Sequence, residues 1–424
     1  SDAGKRRISP KRALGRIAVK KIILGILIVL GLGAVGGYLA LDDEERALVA
    51  NMPTDTNVLF WTVEQRDAAF RRLDAIPVLA QSNVIEAGDA TYPLPQGAPL
   101  EIGMDLDAYM KEQRTSAIVV IHDGNLVMEK YGLGFSDTGK WTSFSVAKSL
   151  TSTLVGAAVK DGSIESIDDP VSKYIKGLDG SAYEDVSVEQ LLTMTSGVAW
   201  NEDYEDPNSD VAKFNNHQPE DGEDATVSYM SKLPREAPAG EKWVYKTGET
   251  NLIGVLVSEA TGKTLAEYLS EKVWSPYGMQ QDATWLLGST GAEISGCCIQ
   301  AATRDMARFG QFILDGAKID GASIVPQGWI AAATTKQADI GAPGHGYGYQ
   351  WWTYDDGSYA AQGIFGQGIF IDPARRLVIA SNSNWPKATG DDVGAQRQEF
   401  YKTVQAAIDA MGVGQEIGEP ATAE

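Results

Sequence analysis

Apolar positions recur along this chain with two different spacings. Ala117-Ile118-Val119-Val120-Ile121 and Leu126-Val127-Met128-Glu129-Lys130-Tyr131 read as strands. His122-Asp123-Gly124-Asn125 between them reads as the turn of a β-hairpin. Helical spacing then takes over. One helix is predicted from Ser145 through Leu154, Val155 and Ala158 to a stop near Gly162. Ser187 caps a second over residues 188–194, ended by Thr195-Ser196-Gly197. Further helices are expected over 250–260, 265–273 and 303–314, and residues 61–73 carry the same spacing. Strand-like runs return at 348–352, 359–363, 368–371 and 377–381, with Asp372-Pro373-Ala374-Arg375-Arg376 turning the last pair. A helix over 400–411 follows. Residues 80–104, rich in Gly, Pro and Ala, read as an irregular wrapping segment. Residues 198–238 are polar, and so long a stretch without a period is expected to be functional, a loop over a site. The order of strands, helices, strands and helix predicts an α+β domain. Its terminal segments form a single antiparallel sheet covered by helices, with a helical region inserted between the hairpin and the late strands.

One run fits neither spacing. Residues 22–41 are apolar and uncharged, long enough to span a bilayer as a helix. The first 21 residues hold eight basic residues and one acid, and Asp42-Asp43-Glu44-Glu45 follows the run. That asymmetry puts the N-terminus in the cytoplasm. A cleaved signal peptide would want a shorter run and a small residue where Tyr38-Leu39-Ala40 has bulky ones, so a signal-anchor is expected. The chain thus divides into a cytoplasmic segment 1–21, a transmembrane helix 22–41, a juxtamembrane linker 42–60, a soluble domain 61–411 and a disordered acidic tail 412–424. The soluble domain is placed in the periplasm or outside the cell, and the bilayer becomes one partner. Gly33 and Gly37 are spaced as a helix-packing pair, which leaves a membrane protein partner open.

The net charge is −21, and everything beyond residue 21 carries −28, which argues against a nucleic-acid binder. The two cysteines, Cys297 and Cys298, are adjacent and cannot staple distant parts of the fold. They can close a ring with each other, but the expectation is two small buried residues. His122, His217 and His345 show no ligand spacing.

Candidate chemistry sits at the start of the first long helix. In Trp141-Thr142-Ser143-Phe144-Ser145-Val146-Ala147-Lys148-Ser149, Ser145 and Lys148 are three apart and share a helix face. A lysine buried there loses hydration and holds its proton less tightly. Its neutral amine then takes the serine proton and makes a nucleophile. Ser-x-x-Lys alone is a common accident of sequence, and the context decides its weight.

That context resembles the penicillin-recognising serine hydrolases, in the class C β-lactamase branch, and within it the 6-aminohexanoate-dimer (nylon-oligomer) hydrolases and related carboxylesterases. The resemblance covers roughly residues 55–410. It rests on Phe144-Ser145-Val146-Ala147-Lys148-Ser149, Leu191-Leu192-Thr193-Met194-Thr195-Ser196-Gly197, Trp200-Asn201-Glu202-Asp203-Tyr204-Glu205-Asp206-Pro207 and Tyr245-Lys246-Thr247. Trp274-Ser275-Pro276-Tyr277-Gly278-Met279, Arg304-Asp305 and Gly363-Ile364-Phe365-Gly366-Gln367 complete the series. Lys246-Thr247-Gly248 spells the third motif of β-lactamases, but it lies only 101 residues after Ser145 and leads into a helix. The late-strand position falls on Ala361-Gln362-Gly363-Ile364, with Ala361 where β-lactamases and transpeptidases carry a cation.

The resemblance implies a β-lactamase/transpeptidase-like fold and an amidase or esterase that needs no metal or cofactor. Ser145 attacks a carbonyl, Lys148 accepts its proton, Tyr245 relays it to the leaving group, and water hydrolyses the acyl-enzyme. The backbone amides of Ser145 and Ile364 form the oxyanion hole. Tyr204, Asn215, Thr247, Gly363 and Gln367 line the substrate, a small ester or amide; at the position of Asn215 the nylon-oligomer enzymes use an acid. Trp200, Trp351 and Trp352 are expected in the core or the pocket wall. Two other readings stay open: a penicillin-binding D,D-peptidase or β-lactamase, and a catalytically silent membrane-tethered binding protein on the same scaffold.

Overall fold

The apolar run of residues 117–121 is continuous because the strand it forms is covered on both faces. Val119 and Ile121 enter a larger core, while Ile118 and Val120 enter a smaller one on the opposite side. In a computed structural model, which describes residues 37–75, 81–220 and 222–416, this strand lies second from one edge of a seven-stranded sheet. The strands in chain order are β1 (Ser82–Ile85), β2 (Thr115–His122), β3 (Asn125–Tyr131), β4 (Lys140–Thr142), β5 (Ala283–Leu286) and β6 (Ile299–Ala302). They continue with β7 (Lys318–Ile319), β8 (Ala322–Ser323), β9 (His345–Tyr347), β10 (Trp352–Tyr354), β11 (Tyr359–Gly363), β12 (Gln367–Asp372) and β13 (Leu377–Ser383). The large sheet has the order β3-β2-β13-β12-β11-β10-β9, antiparallel throughout.

Four helices matter for the site: α1 (Ala147–Lys160), α2 (Thr247–Thr261), α3 (Thr303–Leu314) and α4 (Asp391–Glu416). Leu150 and Leu154 of α1, Leu252 and Leu256 of α2 and Phe309 and Phe312 of α3 share the larger core. Phe400, Val404 and Ile408 of α4 cover the other face. The sheet is thus sandwiched between helices, as the element order predicts.

Several expectations need correction. The sheet is not single: β1, β5, β6 and β4 form a separate four-stranded sheet, and β1 lies in the stretch read as irregular. Strands of three or four residues are too short to show a period. Residues 348–352 are not a strand. Gln350 adopts φ +62° in a turn between β9 and β10. Its buried amide side chain is held by Thr250 Oγ1 at 2.6 Å and Leu192 O at 2.8 Å. A buried polar residue with fixed partners overrides the apolar run around it. Residues 265–273 split into a helix at Leu265–Leu269 and a π-helical turn at Ser270–Trp274.

Asp42 and Glu45, read as a membrane flank, form a capping box at the start of a helix over Asp43–Ala50. The described residues from Pro53 onward belong to one compact unit. Of the expected transmembrane span 22–41, residues 22–36 lie outside the described residues. No helix among the described residues is long and apolar enough to cross a membrane. The closing helix α4 runs to Glu416, beyond the expected 411, and residues 417–424 lie outside the described residues. Cys297 and Cys298 are not two unpaired thiols but form a disulfide with each other.

The polar segment is partly ordered. Short helices at Asp210–Asn215 and Ala225–Met230 are capped by Ser209 and Asp224. Its two ends are clasped together: Val198 bridges to Arg235, and Ala199 N donates to Pro234 O at 2.9 Å.

Candidate active site

The helix α1 is buried along Ala147–Ala158 although it is rich in Ser and Thr. Each hydroxyl explains itself by its partner. Ser149 Oγ donates to Gln350 O at 2.7 Å, Thr151 Oγ1 to Ser295 O at 2.9 Å, and Ser152 Oγ to Tyr349 O at 2.8 Å. These bonds satisfy buried loop carbonyls and fix the helix in rotation. Ser145 lies in the tight 3-10 turn Phe144–Val146 that leads into α1, and Lys148 sits one turn further on.

Lys148 is 1% exposed. Its Nζ lies 2.8 Å from Gly296 O, 3.1 Å from Thr247 Oγ1 and 3.2 Å from Ser145 Oγ. No carboxylate among the described residues touches it. Burial therefore pulls its pKa down to about 8, against the opposing pull of the Glu202 charge. A lysine so tuned is a competent base near neutral pH. Gly296 has to be glycine: a Cβ there would stand 2.9 Å from Thr247 Cγ2 and 3.2 Å from Lys148 Nζ.

Tyr245 completes the group. Its ring lies 5.3 Å from Lys148 Nζ and stacks on Trp352 at 5.4 Å. Burial raises its pKa, and Glu202 raises it further, so the phenol keeps its proton. The Ser145 hydroxyl acts the other way and favours the ionised form of the phenol. Trp351 is core, edge-on to Tyr359.

The end of β11 closes on Ser145 from the other side. A Cβ at Gly363 would lie 2.7 Å from Ser143 O and 3.0 Å from Ser145 N, so only glycine lets the strand come this near. Ile364 follows in the turn Ile364–Gly366. Phe144 and Phe365, flanking this approach, both have left-handed backbones, φ +41° and +59°. Such conformations cost free energy and persist only where packing enforces them. Here the rings of Phe70, Phe144 and Phe365 pack mutually at 4.9–5.5 Å, and Arg66 caps Phe365 at 4.4 Å.

Thr247 is at the centre of the site, bonded to Lys148. The Lys246-Thr247-Gly248 triplet does lead into α2. Buried Lys246 turns away to Glu249, 3.5 Å distant. Ala361 lies on β11, 1% exposed and facing the larger core. Tyr204 donates to Glu202 Oε1 at 2.7 Å. Gln367 corrects an expectation: it is buried, donates to Ile364 O and Ser383 O, and accepts from Ser383 N. Its polar atoms are spent holding the turn, so it shapes the β11 end and does not line a substrate. Asn215 is exposed at the end of its short helix and makes no side-chain bond to the cluster.

The other recurrent stretches build the frame. Ser196 Oγ and Tyr183 Oη donate to Glu249, and Val244 N donates to Met194 O at 3.1 Å, which ties residues 191–197 to the segment that carries Tyr245. Arg304 forks onto Glu129 at 2.6 and 2.7 Å. Glu202 is the residue that sequence reasoning passed over. Its carboxylate accepts from Thr247 N at 2.9 Å, from Thr247 Oγ1, from Tyr204 Oη and from Trp200 Nε1. Nothing in its spacing sets it apart from the other acids of the polar segment.

Comparison with known proteins fits this geometry. A family model described as Beta-lactamase matches residues 105–402. The 6-aminohexanoate-dimer hydrolase of Paenarthrobacter ureafaciens is 32% identical over 323 residues, covering 72% of this chain and 82% of that protein. Among solved structures, a Bacillus anthracis protein provisionally assigned as a 6-aminohexanoate-dimer hydrolase superposes with a TM-score of 0.73 at 23% identity, covering 82% of this chain and 95% of that one. A family VIII carboxylesterase superposes with a TM-score of 0.55 at 19% identity, covering 71% and 95%. These last two speak for the fold.

Proposed function

The chain belongs to the beta-lactamase family of serine hydrolases, and we propose that it cleaves amide or ester bonds through an acyl-enzyme on Ser145. The observation that carries this is a buried lysine amine, 3.2 Å from a serine hydroxyl and touched by no carboxylate among the described residues. Ser145 Oγ attacks the carbonyl carbon as its proton passes to Lys148 Nζ. The Ser145 amide, with that of Ile364, receives the developing oxyanion; each such donor typically contributes about 10²–10³ in rate. Tyr245 gives its phenolic proton to the leaving nitrogen or oxygen and regains one from Lys148. Water then enters, loses its proton to the same base and releases the acyl group.

The substrate class we propose is a short ester or linear amide. The relative at 32% identity is a 6-aminohexanoate-dimer hydrolase, while Asn215 stands where the resemblance expects an acid for that dimer's amine. A β-lactam brings a carboxylate beside the scissile carbonyl. Ala361 offers it no cation, and charge-assisted bonds contribute roughly 1.5–3 kcal/mol each. Since 1.36 kcal/mol is tenfold in rate, nitrocefin should be hydrolysed about 10–100 times less efficiently than p-nitrophenyl butyrate. Nitrocefin turned over faster than the ester would move the assignment to the β-lactamases.

The same reading includes a membrane tether, supported by the basic flank and the apolar run of residues 22–41. It places the catalytic domain on the periplasmic or outer face. Protease added to intact spheroplasts should then degrade the domain beyond residue 42; a fully protected domain would mean the opposite orientation or no tether.

A further inference from the structure

Lys148 has three neighbours but, as a base, only two N–H groups and one lone pair. Which neighbour meets the lone pair decides whether the amine can act on Ser145. Gly296 O is a carbonyl and can only accept, so one N–H is committed there. Thr247 Oγ1 could accept or donate. Its own proton is claimed by Glu202 Oε1, so it must accept from Lys148 as well. Both N–H groups are then used, and the lone pair is left facing Ser145 Oγ.

We propose that Glu202 is a positioning residue of the acylation step: by taking the Thr247 hydroxyl proton it turns the lone pair of Lys148 toward Ser145, and by taking the Tyr204 hydroxyl it ties the polar segment to the same point. This rests on the acyl-enzyme reading given above and adds a residue to it. Four donors converge on the carboxylate, two on each oxygen: Thr247 Oγ1 and Tyr204 Oη on Oε1, Thr247 N and Trp200 Nε1 on Oε2. A primary amide cannot accept four donors. In either orientation of a glutamine, its NH2 would face two groups that themselves donate.

The surrounding charges are few. Glu202 is the charged group that acts on Lys148, and it favours the ammonium form. Tyr204, Tyr245 and Tyr347 face the same carboxylate and are kept as neutral phenols by burial. The nearby Lys246 and Glu249 pair with each other at the start of α2. Glu202 therefore sets the direction of the amine and, against the larger effect of burial, raises the pH at which it becomes available.

The test measures the rate at which a fluorophosphonate phosphonylates the enzyme, with loss of fluoride, between pH 5 and 10, and the labelled residue is mapped by mass spectrometry. Labelling of Ser145 in the wild type checks the nucleophile; a label elsewhere defeats that reading whatever Glu202 does. For Glu202→Gln, the plateau rate at high pH should fall about tenfold or more, as expected for the loss of about one hydrogen bond's worth of orientation. The acid limb should also move to lower pH, because the anion that favours the ammonium is gone. Glu202→Asp should restore the wild-type midpoint. A plateau and midpoint both equal to wild type would overturn the proposal. So would a lower plateau with an unmoved midpoint, which is what a merely structural role gives. Should Glu202→Gln fail to fold, Thr247→Val keeps the shape and cuts the link. A tenfold loss in that variant that Thr247→Ser, which keeps the hydroxyl, restores would support the proposal; a wild-type plateau in Thr247→Val, or a loss that Thr247→Ser does not restore, would overturn it.

Discussion

Ser145→Ala should abolish hydrolysis and leave the fold standing. In serine hydrolases whose nucleophile and base act as a unit, loss of the nucleophile costs up to about 10⁶ in kcat. A fall of at least about 10⁴ for p-nitrophenyl butyrate is expected here. The fold should barely respond. Among the described contacts, the Ser145 hydroxyl is bonded to Lys148, and a typical hydrogen bond contributes about 0.5–1.5 kcal/mol net. The backbone around it is held by the three phenylalanine rings, which the substitution leaves untouched. Hydrolysis in the purified variant, with thermal unfolding followed alongside, decides the matter. A variant retaining near wild-type turnover would mean that another residue is the nucleophile.

Lys148→Met has the second-largest expected effect, and it acts on rate and stability in separable ways. Loss of a positioned base typically costs about 10²–10⁴. In the wild type, kcat/KM should rise with pH as Lys148 gives up its proton, with a midpoint at about 8. In the variant that limb should vanish. Stability moves with the same proton. The folded-state pKa of Lys148 lies below the ordinary lysine value, so between about 8 and the unfolded value the unfolded chain holds a proton that the folded chain has released. Wild-type stability therefore rises with pH across that window relative to Lys148→Met. Denaturant midpoints of both proteins at pH 7 and pH 10 measure the change. A difference that does not depend on pH would mean that Lys148 carries its proton throughout.

The elements that sequence reveals are those whose neighbours are periodic. The hairpin at 115–131, the helix at 303–314 and the strands at 359–363 and 377–383 stand out because each presents a long apolar face. What stays hidden is set by single contacts. The four-stranded sheet is built from runs of three or four residues, and the turn at Gln350 is dictated by partners on α2 and at Leu192. The same holds at the site. Ser145, Lys148 and Tyr245 are legible because their order and spacing match a resemblance. Glu202 is not, because its role comes from four donors that converge only in three dimensions. Gln367 errs the other way: its neighbours in sequence line the site, while its own amide is spent on Ile364 and Ser383.

The clasp at Val198 and Arg235 gives the polar segment a property that concerns its history more than its chemistry. Because the two ends meet on the body of the protein, the span between them can change length without moving either anchor. Doubling a flexible loop costs only about 0.6 kcal/mol in closure entropy. The nucleophile helix, by contrast, is fastened through Ser149, Thr151 and Ser152 and tolerates no such drift. The span between the clasped ends can thus vary in length at its exposed stretches, provided an exchange preserves the carboxylate at position 202 and the core contacts of Trp200, Val211 and Met230.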